Sequence, residues 1–115
     1  MHELTIASAI LERVEHEAGQ RPGVHVTRVG VRVGELSGVN PDALAFGFES
    51  LVRSSPLEPL ALDIEYCPRR QRCRGCGHEF PAPESATRCP ACGSADTVCA
   101  GGEELDLAYL EVEDV

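Results

Sequence analysis

The sequence predicts an α+β fold, a small three-stranded sheet packed by two helices, with a cysteine-rich segment inserted before the last strand. Three features carry that expectation: two stretches of helical apolar spacing, three strand-like stretches rich in Val, Leu and Ile, and six cysteines confined to residues 67–99. A chain of 115 residues has room for one domain with a small appendage and a modest core. There are five aromatics (Phe46, Phe48, Phe80, Tyr66, Tyr109) and no Trp, so core volume must come from Val, Leu, Ile and Ala.

From Leu4 to Val14, apolar residues recur at Leu4, Ala7, Leu11 and Val14, with Ile6 and Ile10 alongside, the spacing of one helix face. Glu12, Arg13, Glu15 and His16 fall mostly on the wet face, and Gly19, Pro22 and Gly23 close the helix. The stretch VHVTRVGVRVGEL (24–36) alternates like a strand, but its parity slips. Val24 and Val26 share one side while Val29, Val31 and Val33 share the other, so a β-bulge near Thr27–Arg28 is expected. In SGVNPDALAFGFESLVRSS, Asn40 suits an N-cap, Pro41 the first helical position and Asp42 the positive helix end. Leu44, Phe48, Leu51 and Val52 make its buried stripe. Gly47 disfavours a helix interior by about 1 kcal/mol, which implies close packing there. LALDIEY follows as a strand with Leu60, Leu62, Ile64 and Tyr66 on one face, and EELDLAYLEVE near the end is the third strand. Residues 1–66 plus 100–115 thus form one α/β domain, and residues 67–99 a second unit projecting from between its last two strands.

The net charge of −9 is unevenly spread. Between Cys67 and Cys99, five Arg face three acids; the remainder carries five Arg against sixteen acids, about −11. So acidic a body argues against a nucleic-acid or anionic-membrane platform. No apolar stretch approaches the roughly 18 residues of a membrane span, and no signal peptide precedes the first helix, so a cytoplasmic location is expected.

Six cysteines in a leaderless chain favour a metal over a disulfide framework. CRGC (73–76) and CPAC (89–92) are two Cys-x-x-Cys turns separated by twelve residues. Each turn aims two sulfurs at a common centre, so Cys73, Cys76, Cys89 and Cys92 complete a tetrahedron. Four thiolates with no open position describe a structural Zn(II) site, and the insertion is expected to be a zinc-ribbon domain. Phe80 is almost its only apolar residue, so the metal must supply folding energy. His78, just behind Cys76, finds no vacancy in a complete tetrathiolate. Cys67 and Cys99 frame the insertion, either as two small buried thiols or as a redox-sensitive pair across its neck. Arg72, Arg74 and Arg88 are expected to offset the −2 charge of a tetrathiolate zinc, or to dock onto an acidic protein.

Nothing in the acidic body reads as an enzyme: no Ser/His/Asp set, phosphate loop or dinucleotide fingerprint is present. It does offer its first three residues, Met1, His2 and Glu3. The terminal amine, the amide nitrogen of residue 2 and the His2 imidazole close fused chelate rings around one ion. A fourth donor comes from the Glu3 amide or its carboxylate. Nitrogen donors in a plane suit Ni(II) or Cu(II) better than Zn(II). The bulky His2 should keep Met1 in place. A cation there meets the positive end of the helix dipole, which Glu3 and a deprotonated amide offset, making binding pH-dependent.

MHEL at 1–4, GELSGVNPDALAFGFES at 34–50, the cysteines at 73, 76, 89 and 92, and the closing ELDLAYLEVED together resemble the HypA/HybF family of nickel-incorporation proteins for [NiFe]-hydrogenase maturation. The resemblance runs from Met1 to about Asp114. It implies a nickel metallochaperone with an α/β nickel-binding domain and a zinc-ribbon domain. Nickel would be held through His2 with Met1 and Glu3, and zinc by the four knuckle cysteines. Implied partners are a HypB-type GTPase and the hydrogenase large-subunit precursor; some members also serve urease maturation. An edge strand leaves a homodimer open. The rival reading is a zinc-ribbon nucleic-acid-binding or transcription-associated module, which predicts salt-sensitive binding that survives His2→Ala.

Overall fold

The computed structural model describes residues 3–82 and 88–114. Helix α1 spans Glu3–Gly19 and buries Ala7, Leu11 and Val14 on one face. Leu4 departs from the expected stripe and is 58% exposed. Its neighbour across the helix pair is Gly47, which has no side chain to cover it.

Strand β1, Val24–Gly34, is the middle of the sheet, and Val26, Val29, Val31 and Val33 are all buried. The parity slip is resolved as expected. Pairing moves from Val26 with Val112 to Arg28 with Glu111, and Thr27 is the extra residue. The Thr27 hydroxyl donates to the Glu111 carbonyl at 3.3 Å. A second irregularity, between Gly30 and Val31, was not signalled by the sequence. The strand stops at Gly34, short of the expected end, and Glu35–Ser37 form a 3-10 turn closed by Gly38 at φ 77°.

Helix α2 spans Pro41–Arg53. The Asn40 side chain caps it, accepting from the backbone N–H of Asp42 at 2.9 Å and of Ala43 at 3.1 Å. Leu44, Phe48 and Val52 are buried; Leu51 is half-buried. The helix carries the chain back so that β2, Ala61–Cys67, lies parallel to β1, with Leu62 beside Val29 and Ile64 beside Val31. Parallel pairing requires such a crossover. Tyr66 departs from its expected burial and is half exposed, near the end of the strand where the chain leaves the sheet. The last strand of this sheet, residues 105–114, pairs antiparallel with the other side of β1.

The second sheet face is polar. Arg28 pairs with Glu111 at 2.9 Å, Arg32 with Asp106, and the Tyr109 phenol donates to Asp63 across the middle strand. The Tyr109 ring lies over Gly30, where any Cβ would collide with it.

The cysteine segment forms its own sheet, with β3 (Arg70–Cys73) between β4 (Glu79–Pro81) and β5 (Thr97–Gly101). The final strand of the first sheet, Leu105–Asp114, is therefore β6. The radius of gyration is 18.0 Å, against about 13 Å for a compact chain of this length, because this second sheet projects. At the neck, the N–H groups of Gly34 and Leu36 donate to the carbonyls of Glu104 and Gly102, both at 2.6 Å. The Glu35 carboxylate accepts from the Arg69 N–H at 3.1 Å. Among the described residues, no helix is long and apolar enough to cross a membrane.

Candidate metal centres

The two knuckles repeat one backbone plan. In the first, the N–H of Gly77 donates to the Cys73 carbonyl and that of Cys73 to the His78 carbonyl, both at 2.9 Å. In the second, Gly93 donates to Cys89 at 2.8 Å and Cys89 to Ser94 at 2.9 Å. Gly77 and Gly93 sit at φ 80° and 77°, a left-handed turn that a side chain would strain. These turns converge the sulfurs of Cys73, Cys76, Cys89 and Cys92 to within 4.8 Å of one another. Cys73 Sγ lies 3.5 Å from Cys92 Sγ, and Cys76 Sγ 3.6 Å from Cys89 Sγ. A tetrahedron with Zn–S bonds of about 2.3 Å has edges of roughly 3.8 Å, so the sulfur set fits this ion. Cys73 and Cys89 are buried with Phe80 and Ala82 in a small core of their own.

The inner and outer sulfurs differ in charge preference. Cys73 is held down to about 6, first by the N–H of Cys76, which donates to its sulfur at 3.4 Å. Burial pushes Cys89 up, but backbone N–H groups of Cys92 and Ala91 outweigh it and lower the thiol. Cys92 receives a lowering N–H from Ser94, yet the crowd of sulfurs, Cys73 foremost, pushes it up to about 12. Cys76 is likewise raised: the His78 N–H lowers it, but Cys89 and burial prevail. A divalent cation entering this cluster meets two sulfurs predisposed to be thiolate and displaces protons from the other two.

Arg74 lies 3.8 Å from the Asp96 carboxylate, and Arg88 donates to the Gly93 carbonyl at 3.2 Å. They brace the turns, while backbone N–H groups point at the sulfurs. This N–H···S pattern was missed in the sequence, though the repeated Cys-x-x-Cys-Gly could have signalled it. His78 lies outside the sulfur cluster and stacks on Phe80.

Cys67 and Cys99 are both free thiols. Cys67 is half-buried with its sulfur on Glu65, and burial with the Glu104 and Glu65 carboxylates pushes its thiol up. Cys99 is exposed and donates to the Gly101 carbonyl, so the expectation of two buried thiols fails for it. It lies opposite Gln71 on β5, an edge strand of the three-stranded ribbon.

Met1 and His2 lie outside the described residues. Glu3 opens α1, and its carboxylate accepts the Asn40 backbone N–H at 3.1 Å. Glu3 is thereby held beside the N-cap of α2. From Asn40 only five residues lead back to Gly34, whose N–H is bonded into the neck. A short path, hydrogen-bonded at both ends, thus runs along the chain from Glu3 to the base of the cysteine ribbon. His16 faces Gln20 at 3.1 Å on exposed helix surface, and His25 is half-buried on β1.

The sequence matches a family model over residues 1–112, described as hydrogenase/urease nickel incorporation, metallochaperone, HypA. A hydrogenase maturation factor HypA from Geobacter metallireducens is 43% identical over 113 residues, covering 98% of this chain and 100% of that protein. A Roseiflexus protein of the same name is 41% identical over 115 residues, covering 99% and 94%. In structure, the solution structure of a HypA protein aligns with TM-score 0.70 at 27% identity, covering 96% of this chain and 95% of the other. The Ni metallochaperone HypA from Helicobacter pylori aligns with TM-score 0.63 at 26% identity, covering 96% and 97%.

Proposed function

The chain belongs to the HypA family of nickel-incorporation metallochaperones, and from that premise we propose how its residues divide the work. Residues 1–66 plus 100–115 are the nickel-binding domain, and residues 67–99 are the zinc ribbon. Ni(II) is cargo, taken by the Met1 amine, the His2 amide and imidazole, and the Glu3 amide. The single observation that supports this donor set is the Glu3 carboxylate drawn to the Asn40 N–H, which favours the Glu3 amide as fourth donor. Planar nitrogen donation is the geometry Ni(II) prefers. Cys73, Cys76, Cys89 and Cys92 hold Zn(II) without an open position, so that ion shapes the ribbon and does no chemistry.

The activity is transfer, not catalysis. A second protein's ligands replace contiguous donors at a chain end one at a time, and Ni(II) passes to the maturing hydrogenase in the cytoplasm. The partners are a HypB-type GTPase and the hydrogenase large-subunit precursor, with urease maturation proteins as a further outlet. The path from Glu3 through Asn40 and Gly34 to the neck supports coupling between the ends. Removing zinc is then expected to weaken nickel binding.

Calorimetric Ni(II) titration of zinc-loaded chain beside His2→Ala tests the reading. One nickel per chain, lost in the variant while zinc is retained, upholds it. Equal nickel binding by both proteins refutes it.

A further inference from the structure

In the sheet order β2-β1-β6, strand β6 is an edge, and among the described residues its outer side has no strand partner. It is ten residues long, well above the usual five or six, and a long open edge is a ready template for another strand. Helix α1 does not close over it. Two adjoining hollows of about 300 and 290 Å³ run between α1 and β6, both lined by Arg13 and Leu107. Their floor includes Ile10, Leu105, Leu110 and Val112. Leu105 and Val112 are 40% and 42% exposed there. The opposite face of the strand carries Asp106, Glu111 and Glu113. The first two pair with Arg32 and Arg28, while Glu113 is in no ion pair among the described residues.

We propose that β6 and the groove beside it receive an extended segment of a partner protein in which apolar residues alternate with Lys or Arg. The segment adds as a fourth strand. The unpaired backbone of β6 selects a strand over a helix, since main-chain hydrogen bonds supply the affinity. Alternate side chains of an added strand point to opposite faces, so one set enters the apolar groove while the other meets the carboxylate row. Opposite charges across a strand pair stabilise it and like charges oppose it. A basic segment is favoured over a second copy, because among the described residues Glu113 is left without a cation on this face and a second copy brings the same net charge of −9. The surface makes no use of the first two residues, so its failure leaves the nickel reading standing.

The test uses the full zinc-loaded chain and three synthetic ten-residue peptides. One alternates Val and Lys, one alternates Val and Glu, and the third is the Val/Lys peptide with every second backbone amide N-methylated. The readout is amide hydrogen exchange across the protein. The Val/Lys peptide is expected to slow exchange in 105–114 by about tenfold or more, less so at high salt. The Val/Glu and N-methylated peptides should leave β6 unprotected. The exposed substitutions Glu113→Lys and Val112→Asp should each weaken Val/Lys binding severalfold at unchanged zinc content. Equal protection by the Val/Lys and Val/Glu peptides, or protection elsewhere than β6, overturns the proposal. So does concentration-dependent dimerisation that protects β6 in the free chain, which would name a second copy as occupant.

Discussion

The cysteine ribbon and the proposed amino-terminal nickel site would offer metals opposite kinds of site. The ribbon end draws its donors from two turns a dozen residues apart, and folding must bring them together before four sulfurs face one ion. The proposed amino-terminal nickel site would draw its donors from consecutive residues, of which the described structure holds Glu3, clamped on the Asn40 N–H. A site assembled by the fold cannot be dismantled without unfolding its surroundings, which suits a resident ion. A site of contiguous donors can be peeled open, which suits cargo. The contrast also explains why the ribbon tolerates so small an apolar core, which among the described residues is Phe80, Ala82 and two of the cysteines.

Removing zinc breaks the comparison most severely. Chelation at neutral pH, or Cys73→Ser, is expected to abolish the one zinc per chain and erase the dispersed amide signals of 70–101. Signals of α1, α2 and the first sheet should persist, because their core of Val26, Val29, Leu44 and Phe48 is separate. Global unfolding on chelation would show the two ends to be one cooperative unit.

Next in size is the neck. A Cβ at Gly34 would collide with the carbonyl of Gly102, a backbone atom that cannot step aside. Gly34→Ala is expected to lower stability by about 2–4 kcal/mol in denaturant unfolding while leaving zinc stoichiometry intact. Asn40→Ala removes the side chain that caps α2 and should cost about 1 kcal/mol. Because the Asn40 backbone N–H still holds Glu3, nickel affinity should change little. Gly47→Ala is the smallest effect. The sequence implied that close packing demands glycine there, but an added Cβ would meet Leu4 Cδ1 at 3.5 Å, ordinary contact. The substitution is expected to raise stability by about 0.5–1 kcal/mol, through helix propensity alone.

How much was legible follows from how locally each feature is determined. The Asn40-Pro41 helix start, the Val stripe of β1 and the bulge at Thr27 are written in neighbouring residues, and the structure has them where expected. The sulfur cluster was legible because Cys-x-x-Cys geometry is set within four residues. What escaped depends on partners distant in sequence. The exposure of Leu4 follows from Gly47 opposite, and Cys99 lies exposed on an edge strand of the second sheet. The Glu3–Asn40 clamp spans 37 residues, and Tyr109 reaches across Gly30 to Asp63 only because three strands align. The partners of Arg74 and Arg88 were not legible because sequence proximity to cysteine does not say which way a long side chain turns.

The most direct test of a peelable terminal site against an assembled one is nickel and zinc stoichiometry after acetylation of the Met1 amine. The proposed division predicts that the acetylated chain loses its nickel, by at least about tenfold in affinity, because a chelate missing its terminal amine cannot close its first ring. It also predicts one zinc per chain before and after. Undiminished nickel binding by the acetylated chain would contradict the account, and would place the cargo on side chains elsewhere in the fold.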